Sequence, residues 1–229
     1  MTPIVLLPGM MCDARLWSPV LHAFTGRAVF HAPLTEADTV QALAAAVLAA
    51  APARFALAGL SMGGIVAMEV LRQAPLRVER LALLDTNPLS EAEAIRARRG
   101  PQVARALAGG LDTVMRDEMK PNYLARSDHK EAILDLCMKM AVSLGPEVFA
   151  RQSAALATRS DQQDALRRFT GPALVLMGAE DRLCPRDRHD LMHALMPQSR
   201  LVIINGAGHL PPLERPAETA AALSQWLTA

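Results

Sequence analysis

A serine between two glycines is the residue of this sequence best placed to act as a nucleophile. Ser61 lies in Gly59-Leu60-Ser61-Met62-Gly63, which has the Gly-x-Ser-x-Gly form of a nucleophile elbow. In such an elbow a sharp turn after a strand presents the hydroxyl, and the glycines avoid clashes with neighbouring backbone. The competing interpretation is a serine that caps the following helix. A phosphate-binding loop is excluded, because Ile65-Val66 stand where that loop needs lysine and serine or threonine.

A nucleophilic serine needs a base to accept its proton, and His209 is the best candidate. His209 lies in "NGAGHLPPLERP", directly after an apolar run, in a loop that Gly206 and Gly208 leave free to bend. The other five histidines lie in predicted helices or at strand ends and are interpreted as surface or packing residues. The alternative for His209 is a loop histidine without a catalytic role.

The base in turn needs an acid that orients it, and Asp181 is the favoured candidate. Asp181 follows the apolar run "ALVLMG" in the turn "AEDRLCP". Its run lies between those that precede Ser61 and His209 in chain order. Glu180 and Asp85 remain alternatives, and any of the three could instead be a surface or capping carboxylate.

Acyl transfer also requires two backbone N–H groups that stabilise the oxyanion of the tetrahedral intermediate. One is expected from Met62, the residue after the nucleophile. The other is expected from the loop "LLPGMMCD" after the first apolar run, with Met10 as the best candidate. A simple turn at Pro8-Gly9 is the alternative for this loop.

These residues require a sheet whose strands end at one edge, and the apolar pattern predicts such a sheet. Near-continuous apolar runs bounded by turn residues are typical of strands buried on both faces of a parallel sheet. The predicted strands are Ile4–Leu7, Arg27–Ala32, Arg54–Gly59, Val78–Asp85, Ala173–Gly178 and Arg200–Asn205. The predicted helices between and after them are Thr39–Ala50, Met62–Ala74, Arg186–Met196 and Ala217–Leu227. The alternation predicts a doubly wound α/β sheet with ligands at its carboxyl edge.

One stretch between the predicted strands is helical throughout. We predict an α/β core at residues 1–88 and 171–229 and a helical lid, or cap, at residues 89–170. The predicted lid helices are Glu91–Arg99, Leu111–Met119, Asp128–Leu144 and Glu147–Arg159. The alternative is a set of ordinary crossover helices with unrecognised strands between them.

Composition excludes several classes of partner. The chain has 229 residues, a formal net charge of +1 and 3% aromatic residues, which gives no basis for binding nucleic acid or an acidic membrane. The three cysteines are widely spaced and form no disulfide framework or Cys-x-x-Cys metal site, which is typical of a reducing compartment. No basic leader or apolar run of membrane-spanning length is present, so a cytoplasmic protein is expected.

The motifs taken together resemble the α/β-hydrolase superfamily. "LLPGMMCDARLW", "LAGLSMGGIVAMEV", "LVLMGAEDRLCP" and "INGAGHLPPLERP" follow one another in the order of that superfamily, Ser…Asp…His. Within it the chain is similar to compact bacterial esterases related to the pimeloyl-carrier-protein methyl esterase. The resemblance implies a Ser61–His209–Asp181 triad with Met10 and Met62 as oxyanion donors.

The chain departs from the superfamily pattern in two loops. Pro8-Gly9 replaces the usual His-Gly, and "HAPLTEAD" replaces the usual Asp-x-x-Gly-x-Gly loop. The second change is expected to alter the pocket wall near Ala32–Asp38. The chain also begins at what would normally be the third strand, so a trimmed sheet of about six strands is expected.

The expected function is hydrolysis of a carboxylic ester or thioester of a small, largely apolar acyl group through an acyl-enzyme, without metal or organic cofactor. Carbon–carbon bond hydrolysis, lyase chemistry or cofactor-free perhydrolysis on the same triad is the alternative, and a non-catalytic receptor is a third interpretation. The basic cluster Arg96, Arg98 and Arg99 could contact an acyl carrier protein, although a solvated helix face is the competing interpretation.

Overall fold

The computed structural model describes residues 1–126 and 129–228, and a six-stranded sheet forms its centre. The strands are β1 (Ile4–Leu7), β2 (Val29–His31), β3 (Phe55–Leu60), β4 (Val78–Leu84), β5 (Ala173–Gly178) and β6 (Arg200–Ile204). Their order is β2-β1-β3-β4-β5-β6, and every neighbouring pair is parallel. The prediction of a trimmed sheet of about six strands is therefore confirmed, and all carboxyl ends share one edge.

The apolar pattern of each strand follows from its place in the sheet. β1, β3 and β5 lie inside the sheet and are buried at every residue, as expected of strands covered on both faces. The edge strands β2 and β6 carry exposed side chains. Alternate residues of β1 enter opposite cores, with Val5 and Leu7 on one face and Ile4 and Leu6 on the other.

Helices cover both faces of this sheet. The α-helices are α1 (Val40–Ala50), α2 (Met62–Gln73), α3 (Glu93–Arg105), α4 (Leu111–Thr113), α5 (Lys130–Leu144), α6 (Pro146–Ala157), α7 (Gln163–Arg167), α8 (Arg186–Leu195), α9 (Pro211–Glu214) and α10 (Pro216–Thr228). α1, α2 and α8 pack into the core on one face, and α10 packs with the 3-10 helix Ala14–Phe24 into the core on the other. Thr39 caps α1 by accepting a hydrogen bond from the amide of Ala42 at 3.2 Å.

Between β4 and β5 the described residues form helices and turns and contain no strand. We call residues 89–170 the helical segment. The predicted helix end at Arg99 is wrong, because α3 continues through Gly100 and Pro101 to Arg105. Pro101 removes one hydrogen bond of α3, and the helix packs against α6. The predicted break at Gly109-Gly110 is confirmed, since Gly109 has φ +92°.

Two further stretches differ from the sequence prediction. The predicted helix Leu111–Met119 is a short α4 followed by a π-helical turn at Val114–Met119. The predicted start of the next helix, Asp128, lies outside the described residues. The 3-10 helix Ala14–Phe24 was not predicted, and it contains Pro19. Among the described helices, none combines the length and apolar character that crossing a membrane demands.

Candidate active site

The turn between β3 and α2 holds Ser61 in a strained backbone conformation. Ser61 has φ +54° and ψ −114°, a region that residues other than glycine rarely adopt. Its side chain makes no capping hydrogen bond to the first turn of α2, so the capping interpretation is wrong. The turn places Ser61 directly after β3, at the carboxyl edge of the sheet.

The glycines around Ser61 are required by close backbone approach. A Cβ at Gly59 would overlap the carbonyl oxygen of Gly63, and a Cβ at Gly63 would overlap the carbonyl oxygen of Leu7. A Cβ at Gly64 would lie 2.6 Å from the Cβ of Thr86. α2 thus begins pressed against β1 and β3, which only glycine permits at these positions.

Two hydrogen bonds fix the backbone of Ser61 to the neighbouring strand. Its amide donates to the carbonyl oxygen of Leu84 at 2.9 Å, and its carbonyl oxygen accepts from the Thr86 hydroxyl at 2.7 Å. Thr86 lies just beyond β4, so the end of that strand clamps the elbow from one side. The backbone of Ser61 is therefore held by β4 and by the residues directly after it.

Asp181 and His209, which follow β5 and β6, are joined directly. Nδ1 of His209 lies 2.9 Å and 3.0 Å from the two carboxylate oxygens of Asp181. The amides of Leu183 and Cys184 donate to Asp181 Oδ1 at 2.8 Å and 3.1 Å. Burial opposes ionisation of Asp181, but the charge and hydrogen bond of His209 together with these amides hold its pKa below the usual value. The ionised carboxylate orients the imidazole.

The loop that carries His209 is anchored through its backbone. The His209 amide donates to the carbonyl oxygen of Tyr123 at 2.6 Å, and the Tyr123 ring lies 5.9 Å from the imidazole between centroids. The Glu214 carboxylate accepts from the amides of Gly208 and Leu210, both at 2.9 Å. It also accepts from the amide of Ala125 in the helical segment at 2.8 Å. Glu214 therefore connects the loop that carries His209 to the helical segment.

The two alternative acids occupy different environments. Glu180 is exposed, while Asp85 is fully buried and accepts from the amide of Gly178 at 2.9 Å through Oδ1. Burial raises the pKa of Asp85 well above its usual value, and the negative charge of Asp181 raises it further. Neither residue hydrogen-bonds His209 within the part of the chain that the structure describes. The geometry thus favours Asp181 as the partner of the base.

The loop after β1 places one unused amide beside the elbow. The amide of Met11 donates to Gln152 Oε1 at 2.9 Å, and that of Cys12 donates to the Gly9 carbonyl oxygen at 3.1 Å. The amide of Met10 has no partner among residues 1–126 and 129–228. Met62 is the first residue of α2, where amides lack a partner within the helix. Among the described residues, neither of the two amides predicted as oxyanion donors therefore has a hydrogen-bond acceptor.

Four of the predicted residues line one cavity. Met10, Ser61, Met62 and His209 contribute to a cavity of about 460 Å³ at the carboxyl edge of the sheet. Asp181 does not line the cavity and is hydrogen-bonded to Nδ1 of His209. No hydrogen bond joins the Ser61 hydroxyl to another side chain of the described residues, which is common before a substrate is bound. Residues of the helical segment, among them Ile95, Met119 and Leu156, line the same cavity.

A comparison with known sequence families identifies the family of this chain. The sequence model of the "Alpha/beta hydrolase family" matches residues 4–222. The chain belongs to the alpha/beta hydrolase family. The predicted superfamily is therefore confirmed, and the features of its fold are those of an alpha/beta hydrolase.

Curated relatives of this alpha/beta hydrolase are named as esterases. Two of them, both pimeloyl-[acyl-carrier protein] methyl ester esterases, come from Klebsiella pneumoniae and Aliivibrio salmonicida. The first is 26% identical and covers 93% of this chain and 89% of its own length; the second is 27% identical and covers 98% and 91%. Family and relatives together support a hydrolase of the esterase type.

Solved structures of other alpha/beta hydrolases superpose closely. A malate-bound thermophilic esterase from Thermogutta terrifontis is 27% identical, with a TM-score of 0.86 over 100% of this chain and 90% of that one. The enol-lactonase from Burkholderia xenovorans has a TM-score of 0.88 over 100% and 92%. At 22% identity this second similarity concerns the fold alone.

One group of side chains in this hydrolase has the spacing of a metal site. Ligand atoms of Asp181, Cys184 and His209 lie within 4.8 Å of one another, the one such group of three among the described residues. Burial raises the pKa of the Cys184 thiol well above its usual value, and this disfavours the thiolate that a metal would bind. Since Asp181 and His209 already bind each other, the group fits an acid–base pair better than a metal site.

Sequence reasoning missed three residues that hold the loops of this site by hydrogen bonds. Glu214, Gln152 and Thr86 hold the base loop, the loop after β1 and the elbow, respectively. Glu214 lies five residues after His209 in the same quoted motif, so its position was visible. The contact of Gln152 with Met11 was not, because 141 positions separate the two residues in the chain.

Proposed function

We propose that this alpha/beta hydrolase is a serine esterase that cleaves carboxylic esters or thioesters through an acyl-enzyme. The observation that carries the proposal is the strained Ser61 lining one cavity with His209, whose imidazole is held by Asp181. The names of the curated relatives support ester hydrolysis.

In the first step the Ser61 oxygen attacks the carbonyl carbon of the ester. His209 accepts the serine proton on Nε2, because Nδ1 is held by Asp181. The amides of Met10 and Met62 bind the oxyanion of the tetrahedral intermediate. His209 then gives its proton to the leaving alcohol or thiol, and the acyl group remains on Ser61.

In the second step water releases the acid. His209 removes a proton from a water molecule, which attacks the acyl carbon, and the same two amides bind the second oxyanion. Collapse of this intermediate returns the proton to Ser61 and frees the carboxylic acid. Asp181 stabilises the imidazolium in both steps without itself becoming protonated.

The helical segment is proposed as a lid, with residues 1–88 and 171–229 as the catalytic core. Ile95, Met119 and Leu156 of the segment line the cavity and suit a small, largely apolar acyl group. The relatives named for acyl-carrier-protein esters support an acyl carrier protein as a partner that carries the ester. Arg96 and Arg98 lie on the exposed side of α3, where an acidic carrier could contact them. A cytoplasmic location stays a prediction.

Turnover of p-nitrophenyl acetate and butyrate by the wild type and Ser61→Ala, with fluorophosphonate labelling, tests the proposal. We expect the wild type to hydrolyse both esters and to be labelled, and Ser61→Ala to do neither. Ser90→Ala, which changes another serine of the same cavity, is the matched control and should retain both. A wild type that neither reacts with the probe nor cleaves esters contradicts the proposal. Labelling of Ser61 without ester turnover would favour carbon–carbon hydrolysis, lyase chemistry or perhydrolysis.

A further inference from the structure

A cluster of three charged side chains forms part of the cavity wall. Glu91 binds Arg99 through two hydrogen bonds, one from Nη2 at 2.7 Å and one from Nε. It also accepts from Arg159 Nη1 at 2.7 Å. The side chains of Glu91, Arg99 and Arg159 are 1%, 14% and 10% exposed, so the cluster is largely shielded from solvent. The solvated-face interpretation of the basic cluster is therefore wrong for Arg99.

The cluster carries a net positive charge. Burial alone would raise the pKa of Glu91, but its contacts with Arg99 and Arg159 hold that pKa below the usual value, so the carboxylate is ionised. Arginine stays protonated in proteins even when burial lowers its pKa, as it does at Arg159. Two cations therefore share one anion, and one positive charge remains in a site of low dielectric.

Donors of this cluster remain unused. Arg159 Nε donates to the carbonyl oxygen of Leu89 at 3.1 Å, and its Nη2 has no acceptor among the described residues. Arg99 Nη1 has only the sulfur of Met10 near it, at 4.0 Å. Both arginines line the same cavity as Ser61 and His209. The unpaired charge and the free N–H groups thus lie beside the loop after β1, which carries Met10, a predicted oxyanion donor.

The other acidic side chain that lines the cavity is neutralised elsewhere. Glu118 is paired with Arg105 and accepts a hydrogen bond from Gln102 at 3.1 Å. Arg98 also lines the cavity and makes no ion pair within the described ranges. The charge available to a bound molecule is therefore positive.

We propose that Arg99 and Arg159 form an anion subsite that binds an ionised carboxylate on the ester substrate, so that the preferred substrates are monoesters of short dicarboxylic acids. The proposal rests on the proposed esterase function and deepens it. A guanidinium group offers parallel N–H donors that match the two oxygens of a carboxylate. A bound carboxylate would balance the remaining charge of the cluster. The chain is expected to be short, because Arg99 contacts the side chain of Met10 itself.

Matched esters test the subsite. Monomethyl glutarate carries one carboxylate, and dimethyl glutarate is its neutral counterpart. We expect kcat/KM to favour the monoester by about tenfold or more, as expected for charge-assisted hydrogen bonds, and the preference to weaken as salt is added. Arg159→Gln and Arg99→Gln should each reduce this ratio about tenfold. Arg116→Gln, an exposed arginine of the same helical segment, is the control and should leave the ratio unchanged.

A charge-compensated variant separates charge from folding. Arg99→Gln leaves Glu91 with a single cation, so the cluster becomes neutral. The double variant Glu91→Gln/Arg99→Gln removes both members of that pair and leaves Arg159 as the net charge. We expect the double variant to recover part of the monoester preference. A purely structural role for Arg99 predicts no recovery.

Binding of glutarate, measured by calorimetry with glutaramide as the neutral control, gives a readout that does not require turnover. Glutarate should bind the wild type and bind Arg159→Gln about tenfold more weakly. Equal hydrolysis of both esters, with glutarate binding unaffected by either arginine variant, overturns the subsite and leaves the esterase proposal intact. Arginine-dependent glutarate binding without hydrolysis or Ser61 labelling upholds the subsite and overturns the esterase.

Discussion

The sheet edge and the helical segment each form one wall of the same cavity but are constrained to different degrees. At the edge, a Cβ on Gly59 or Gly63 would overlap neighbouring backbone. In the helical segment, a Cβ on Gly100 would meet nothing within 4 Å. Backbone packing therefore restricts the residues around the proposed nucleophile, whereas position 100 of the segment has room for a side chain. The difference agrees with the proposed division, in which the sheet edge carries the reacting groups and the helical segment selects the substrate.

The largest expected effect is the loss of kcat on substitution of Asp181, the proposed acid, which lies outside the helical segment. Asp181→Asn should lower kcat by about 10⁴-fold, because the neutral amide favours the wrong imidazole tautomer and no longer stabilises the imidazolium. The segment is not touched, so glutarate binding should persist. Steady-state kinetics and calorimetry on the same preparation measure both. A fall in kcat of less than tenfold would assign the acid role to another residue.

A pair of glycine substitutions tests the contrast in backbone packing. Gly63→Ala should lower the free energy of unfolding by ~3 kcal/mol, because the added methyl group meets the backbone of Leu7 and Pro8. Gly100→Ala should change it by less than ~1 kcal/mol, since the gain in helix propensity is offset by the restriction on a residue before proline. Urea unfolding of both variants measures the difference. Equal values would remove the distinction between the two walls.

Glu214 connects the loop of His209 to the helical segment by hydrogen bonds, and a substitution of Glu214 tests this connection. Glu214→Gln keeps one acceptor oxygen but places an NH₂ group where amides of the base loop or the segment donate. We expect a loss of stability of ~1–3 kcal/mol and a fall in kcat of about tenfold, because the loop that carries His209 loses hydrogen bonds at Gly208 or Leu210. Glu218→Gln, exposed on α10, is the matched control. Unchanged kcat in Glu214→Gln would show that the anchor does not position the base.

The smallest expected effect concerns the buried Asp85. Its native pKa is raised, so between the unfolded value near 3.9 and the native value the folded state holds a proton that the unfolded chain has lost. The free energy of unfolding of the wild type therefore falls as pH rises through that window. Asp85→Asn cannot ionise and should be more stable than the wild type by ~1 kcal/mol at neutral pH. Chemical unfolding across pH measures this.

The activity of the same variant separates the two aspartates. Asp85→Asn should change kcat less than tenfold, since Asp85 makes no hydrogen bond to His209 among the described residues. A large loss of activity together with a gain in stability would mean that Asp85 acts on the imidazole through Asp181.

Local sequence signals predicted the sheet edge well. Buried parallel strands are apolar along their whole length, and the residues at their ends are turn formers, so Ser61, Asp181 and His209 could be placed from their neighbours alone. Their catalytic roles stay predictions. The helical segment was harder, because α3 continues through Gly100-Pro101 and packs against α6, and because Arg99 is largely buried against Glu91. The contact of α3 with α6 joins residues far apart in the chain, and no local pattern records it.

The carboxylate of Glu214 has a consequence for motion in the molecule. It holds the amides of Gly208 and Leu210 on the base loop and that of Ala125 on the helical segment. If opening of the segment breaks these bonds together, the three amide hydrogens exchange with deuterium as one cooperative unit. The loop of His209, the proposed base, would then lose these hydrogen bonds whenever the segment opens. A substrate could enter the open molecule but would react only after the segment has closed.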